Sequence, residues 1–204
     1  MPPEGRDVPA FIAEDQVLRR ALWVAARAHA RQTGKDGVSP YVNHPIAVAT
    51  RLHAAGCETD TIAAGLLHDV VERSNLSFGE VVEGFGTEVG ELVAALTEDG
   101  AIEDYPERKR AHRRQVEEAG ATAAAIYAAD KLVNVGDLRR MYADMGEAAA
   151  ERFEVSLDVR VELWHGDLAM LARAAPELQI VGELGAELAV LERERTRTFA
   201  GHHA

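Results

Sequence analysis

Apolar positions recur along this chain at intervals of three and four residues, the spacing of helices with one face turned to a core. In EDQVLRRALWVAARAHARQ, from Glu14, the residues Leu18, Leu22, Ala25 and His29 share one face. TGKDGVSPYVNH (33–44) breaks the pattern with turn residues. Pro45 then suits the first turn of a helix running to about Ala55, which Gly56 ends. Residues 61–71 are almost all apolar or small, which predicts a helix buried on most sides and capped by Thr59 or Asp60. Ser77 and Glu80 have the spacing of a capping box for FGEVVEGF, and Thr87 opens TEVGELVAALTE. An acidic loop (99–106) precedes the charged helix from Glu107. Gly120 separates that helix from the Ala-rich ATAAAIYAADKLVNVGDLRRMY. Two more helices are expected over about 148–173 and 177–197, split by Pro176. In the last of them Leu184, Leu188 and Leu191 form a stripe whose simplest use is core packing. Strand signals are weak throughout. The expected fold class is all-α, a helical bundle, with a loose tail over 1–12, one domain over 13–197 and a frayed end over 198–204.

Composition narrows the function classes. The chain has 204 residues, 47% of them hydrophobic and 27% charged, as in an ordinary globular domain. A net charge of -12 argues against nucleic acid or an anionic membrane as partner. It leaves room for a small phosphorylated ligand, which needs only a local cationic cluster. No apolar run reaches the roughly 18 residues of a membrane span, and the polar, Pro-rich start is unlike a signal peptide. Cys57 is the single cysteine, so no internal disulfide is possible and a cytoplasmic location is expected. The oligomeric state stays open.

The chemistry starts from charges placed where a core residue belongs. His68 and Asp69 stand side by side in the buried run 61–71, and Asp130 lies among Ala128, Ala129 and Leu132. Burying such groups is costly without compensation. A divalent metal held by His68, Asp69, Asp130 and one further histidine would compensate all three. Neighbouring residues project about 100° apart on a helix, so His68 and Asp69 can converge on one ion. His29 extends the apolar face of its helix and fits best as the fourth ligand. His53 is the rival, and His44, just before Pro45, looks more like a capping or loop-packing residue. Taken singly, each has a plainer use, as a core histidine or a surface ion pair.

The order of motifs then becomes recognisable. His29, DGVSPYVNHP (36–45), LLHDVVE (66–72), FGTEV (85–89), ERK (107–109) and AADKLVN (128–134) together resemble the HD superfamily of metal-dependent phosphohydrolases. Within it they resemble most the alarmone hydrolases of the RelA/SpoT homologue family. The resemblance covers residues about 15 to 140. It implies an HD-domain helical bundle holding one Mn2+ on His29, His68, Asp69 and Asp130, and it demotes His53. It implies removal of pyrophosphate from the 3′ position of (p)ppGpp by a metal-activated water, with Glu72 as the base or orienting group. Lys35, Arg108, Lys109 and Lys131 would supply positive charge for the phosphates, and Asn134 would lie near the nucleotide. Tyr41 and His44 would shape the wall.

Three positions depart from the family pattern. Arg73 stands where an aspartate usually follows the glutamate, Tyr127 where lysine is frequent, and Gly34 where arginine precedes the loop lysine. Arg73 could point away, bind a phosphate of a different substrate, or disable hydrolysis. The alternatives to an alarmone hydrolase are therefore an HD phosphohydrolase of another nucleotide (an adenine alarmone, NADPH or a nucleoside monophosphate) and a degenerate, nucleotide-binding regulatory HD protein.

Overall fold

A computed structural model describes residues 8–201. Among them the secondary structure is helical, apart from an isolated bridge between Thr33 and Pro40. The elements are α1 (Ala10–Glu14), α2 (Gln16–Ala28), α3 (Asn43–Ala54), α4 (Thr59–Leu67), α5 (Val70–Arg73), α6 (Phe78–Phe85), α7 (Thr87–Leu96), α8 (Tyr105–Ala119), α9 (Ala121–Met145), a 3-10 segment (Gly146–Arg152), α10 (Leu157–Ala174) and α11 (Gln179–Gly201). The all-α expectation holds.

Helices α4 and α9 form the centre. Every residue of α4 from Thr61 to Leu67 is buried, with α2, α3, α7 and α9 packed around it. Each fully buried leucine there, Leu66 and Leu67, contributes about 1.5–3 kcal/mol of hydrophobic stabilisation. The approach of α3 to α4 is close because position 65 is glycine: a Cβ added there would come within 2.5 Å of Leu52. Helix α9 is buried on nearly all sides from Ala123 to Val133, since its alanines let α3, α8 and α11 lie against it. Leu184, Leu188 and Leu191 of α11 are buried in the core, facing inward as the stripe predicts.

Caps explain several boundaries. The Ser77–Glu80 capping box forms in full at α6. Asp15 caps α2, accepting from the backbone N–H groups of Val17 at 2.7 Å and Leu18 at 3.0 Å. Gly120, at φ 92°, turns the chain between α8 and α9. Other expectations shift. Helix α4 has Glu58 at its N-cap, without a side-chain bond, instead of Thr59 or Asp60. Asp104 accepts from the Glu107 N–H at 2.8 Å and so starts α8 at Tyr105, inside the expected acidic loop. Ser156 starts α10 about eight residues later than the apolar pattern implied, after the 3-10 segment.

Residues 10–12 are not a loose tail: they begin α1, because Ile12 is fully buried and Phe11 stacks on His53 at 4.0 Å. At the other end α11 continues through Gly201. The remainder of the two expected tails, 1–7 and 202–204, lies outside the described residues. The expected helix through 61–71 is also interrupted: α4 stops at Leu67, His68 and Asp69 form a turn, and α5 follows. The His68 ring takes the Gly65 carbonyl at 2.8 Å, and this side-chain bond sits at the break.

Candidate active site

His68 and Asp69 therefore project from a turn between two helices, in the floor of a cavity of about 380 Å³. Opposite them α9 presents Asp130. His68 Nε2 lies 3.4 Å from Asp69 Oδ2 and 3.8 Å from Asp130 Oδ1. His44, in the first turn of α3, joins them: its Nε2 is 3.1 Å from Asp130 Oδ1 and 4.0 Å from Asp69 Oδ2. His29 caps the C-terminus of α2, with its ring 4.8 Å from that of Tyr41. His53 is exposed and stacked on Phe11, away from this group.

The imidazoles are set up as ligands. His68 Nδ1 donates to the Gly65 carbonyl, which turns Nε2 toward two carboxylates. His29 Nδ1 lies 3.0 Å from Gln32 Oε1, and its buried Nε2 has no hydrogen-bond partner. Burial pulls the His29 imidazole below its usual value, which favours the neutral form that can donate a lone pair. Nε2 of His44, Nε2 of His68 and an Asp130 oxygen all lie within 4.8 Å of one another. Donors about 2.1 Å from one ion stand at most about 4.2 Å apart, so a small side-chain adjustment closes the set. Orphaned lone pairs beside paired carboxylates are the donor chemistry of a divalent cation. These residues fit one.

The carboxylates are held ionised. Burial works to raise Asp69, but His68, Arg73 and His44 outweigh it and keep it below the usual carboxylate range. Its Oδ2 also accepts from the Tyr41 hydroxyl. Asp130, 9% exposed, is likewise pushed up by burial and pulled further down by Lys131 and His44. Lys131 Nζ is 2.7 Å from Asp130 Oδ2, and Asn134 Nδ2 donates to Oδ1 at 2.6 Å. The ammonium of Lys131 is buried too, and Asp130 more than offsets that burial, keeping it protonated.

The expected cations reach the same cavity, each already engaged. Lys35 donates to Asn134 Oδ1, and burial pushes its ammonium down to about 8. Arg108 Nε lies 3.2 Å from Glu98, which also accepts from Lys109. Glu72 is exposed on the cavity wall, where Oε2 accepts from the Glu98 N–H at 3.4 Å. Arg73 reaches back over the Tyr41 ring (4.9 Å to the centroid), with Nε 3.4 Å from Asp69 Oδ2. Of the other two departures, the Tyr127 hydroxyl donates to Asp167 at 3.0 Å, and Gly34 pairs its N–H with the Ser39 carbonyl inside the loop.

Sequence reasoning missed Gln32, Glu98 and Arg160, and gave His44 only a place in the wall. Gln32, half-buried in the loop after α2, gave no signal. His44 carried one, a histidine directly before the Pro that opens α3. Glu98 was hidden at the end of an apolar helix. Arg160 of α10 lines the cavity among Tyr105, Phe153 and Trp164, with its Nε buried and unpartnered.

A family model described as "HD domain" matches residues 21–151. The chain belongs to the HD-domain family. It is 41% identical over 132 residues to human guanosine-3′,5′-bis(diphosphate) 3′-pyrophosphohydrolase MESH1, a match spanning 63% of this chain and 73% of that protein. The Xenopus tropicalis MESH1 is 40% identical over 127 residues, spanning 61% and 70%. Among solved structures, a metazoan orthologue of SpoT described as hydrolysing ppGpp superposes with a TM-score of 0.69 at 30% identity, covering 89% of this chain and 96% of that one. HD-domain membership and a His-His-Asp donor group together make the cavity floor a divalent-metal site.

Proposed function

We propose that the protein is a Mn2+-dependent hydrolase that removes the 3′-pyrophosphate of (p)ppGpp, yielding GDP or GTP. One observation carries this reading: imidazole nitrogens and ionised carboxylates converge on the floor of a cavity whose upper walls hold at least five cations. The similarity to the MESH1 hydrolases supports the substrate.

In this reading His29, His68, Asp69 and Asp130 hold the ion, and His44 borders it, with Nε2 3.1 Å from Asp130 Oδ1. A divalent cation there supplies Lewis-acid activation of water and neutralises phosphate charge. Glu72, one turn beyond His68, takes the proton of the attacking water. Lys35, Arg108, Lys109 and Lys131 bind the phosphate oxygens, exchanging part of their bonding to Asn134, Glu98 and Asp130 for the ligand. Asn134 orients Lys35 and Asp130 against the nucleotide. Arg73, stacked on Tyr41 at the rim, offers a further cation to a phosphate beside the ion. The free, half-buried Cys57 suits a reducing cytoplasm, and among the described residues no helix is long and apolar enough to cross a membrane.

The test is pyrophosphate release from ppGpp by purified protein with added Mn2+. Release that disappears in Asp69→Ala is the expected result. No release from protein shown to hold its ion would overturn the alarmone assignment, and a screen of other nucleotides with Arg73→Asp alongside would follow.

A further inference from the structure

Gln32 occupies a position that no catalytic scheme has so far required. Its backbone is pinned on both sides: its N–H donates to the His29 carbonyl at 3.0 Å and its carbonyl accepts from the Tyr41 N–H at 3.0 Å. The side chain is fixed at both ends as well. Nε2 lies 2.6 Å from the Arg73 carbonyl, and Oε1 lies 3.0 Å from His29 Nδ1.

The chemistry of these partners leaves one arrangement. A backbone carbonyl can only accept, so the amide must turn its NH2 toward Arg73. Its oxygen then faces His29 and can only accept, so the proton of the neutral imidazole must sit on Nδ1. The lone pair is thereby confined to Nε2, the buried nitrogen with no partner of its own. The same amide ties His29 to the C-terminal end of α5, the single turn that carries Glu72.

We propose that Gln32 is a positioning residue of the metal centre: it sets the His29 tautomer and ring orientation, and couples that ligand to the α5 turn. The inference rests on the ligand assignment above, with His29 in the set. Outer-shell partners of this kind typically change metal affinity by about tenfold to a hundredfold when removed.

Two measurements test it, neither read through turnover. The first is Mn2+ affinity, followed by electron paramagnetic resonance, for the parent protein, Gln32→Leu and Gln32→Glu, with folding checked by circular dichroism. Leucine removes the acceptor and should weaken binding at least tenfold. Glutamate still accepts from Nδ1–H but cannot donate to the Arg73 carbonyl, so it should bind Mn2+ more tightly than the leucine variant and less tightly than the parent. The second is the ring nitrogen resonances of His29 in the metal-free parent, where Nδ1 should carry the proton. This needs no variant and survives any folding failure of Gln32→Leu. Equal Mn2+ affinity in Gln32→Leu, or a proton on His29 Nε2 in the parent, overturns the inference alone. Failure of the parent to bind Mn2+ overturns it together with the metal reading.

Discussion

Lys131→Met isolates the pair at the centre of the site. Lys131 Nζ and Asp130 Oδ2 are 2.7 Å apart, both side chains are buried, and the ammonium also sits 4.2 Å from the Tyr127 ring centroid. Two unit charges at that distance attract by about 6 kcal/mol at an effective dielectric constant of about 20. Desolvating each ion costs several kcal/mol, so the intact pair contributes little net stability. Removing one partner is different. Asp130 remains buried with its contacts to His44, His68 and Asn134, and such a deletion costs about 3–5 kcal/mol. At about 2–4 °C per kcal/mol for a chain of this size, Tm falls by roughly 10 °C. The assay is thermal and urea unfolding in EDTA of the parent, Lys131→Met, Asp130→Asn and the double variant. Neutralising Asp130 removes the orphaned charge, so the double variant should be at least about 2 kcal/mol more stable than the sum of the single losses predicts. Saturating Mn2+ should narrow the deficit of Lys131→Met, because the ion restores positive charge beside Asp130. Additive losses, or a single loss below about 1 kcal/mol, would refute the argument that these two charges depend on each other.

Three further outcomes are expected. The carboxyls of Asp69, Asp130 and Glu98 are all held below their ordinary values of 3.8, 3.8 and 4.5. The stability they confer is thus complete above about pH 5 and is lost as pH falls below about 4 toward their folded values, so denaturant midpoints in EDTA should be flat at neutral pH and drop there; a midpoint indifferent to pH from 5 down to 2 would contradict this. Chelation should lower Tm, since an ion at a hundred times its Kd adds about 2.7 kcal/mol, or roughly 5–10 °C, and re-addition of Mn2+ should restore it. Leu188→Ala should cost about 2–5 kcal/mol in urea unfolding, because Leu188 is buried where α11 meets the core; a near-neutral change would place the leucine stripe outside the core.

The helices could be read from the chain because their apolar spacing is dictated by burial against common neighbours; α4 stands out through having no polar face and α9 through its run of alanines. The charges of the site could be read for the same reason: His68, Asp69 and Asp130 interrupt apolar runs. Periodicity cannot report where a helix breaks for chemical reasons. The turn at His68 and Asp69 coincides with a ring-to-carbonyl bond to Gly65, and it re-aims both side chains. Nor can it report what meets across the cavity. His44 reaches Asp130 only because α3 packs on α9, and Arg108 and Lys109 meet Glu98 only because α8 lies against α7. Side-chain caps decide boundaries that apolar spacing misses, as Asp104 and Ser156 do at α8 and α10.

Gly65 places two demands on one position. It lacks a side chain so that Leu52 can approach, and its carbonyl fixes the ring of His68. Any larger residue must displace the buried Leu52 side chain, at the crossing of the two helices that carry His44 and His68. The far wall is under no such constraint, for Arg108, Lys109 and Arg160 arrive on long side chains from α8 and α10. A protein engineer seeking new substrates should therefore randomise α8 and α10 and leave the α3–α4 crossing alone. Redesign that begins at position 65 would dismantle the catalyst before it altered the specificity.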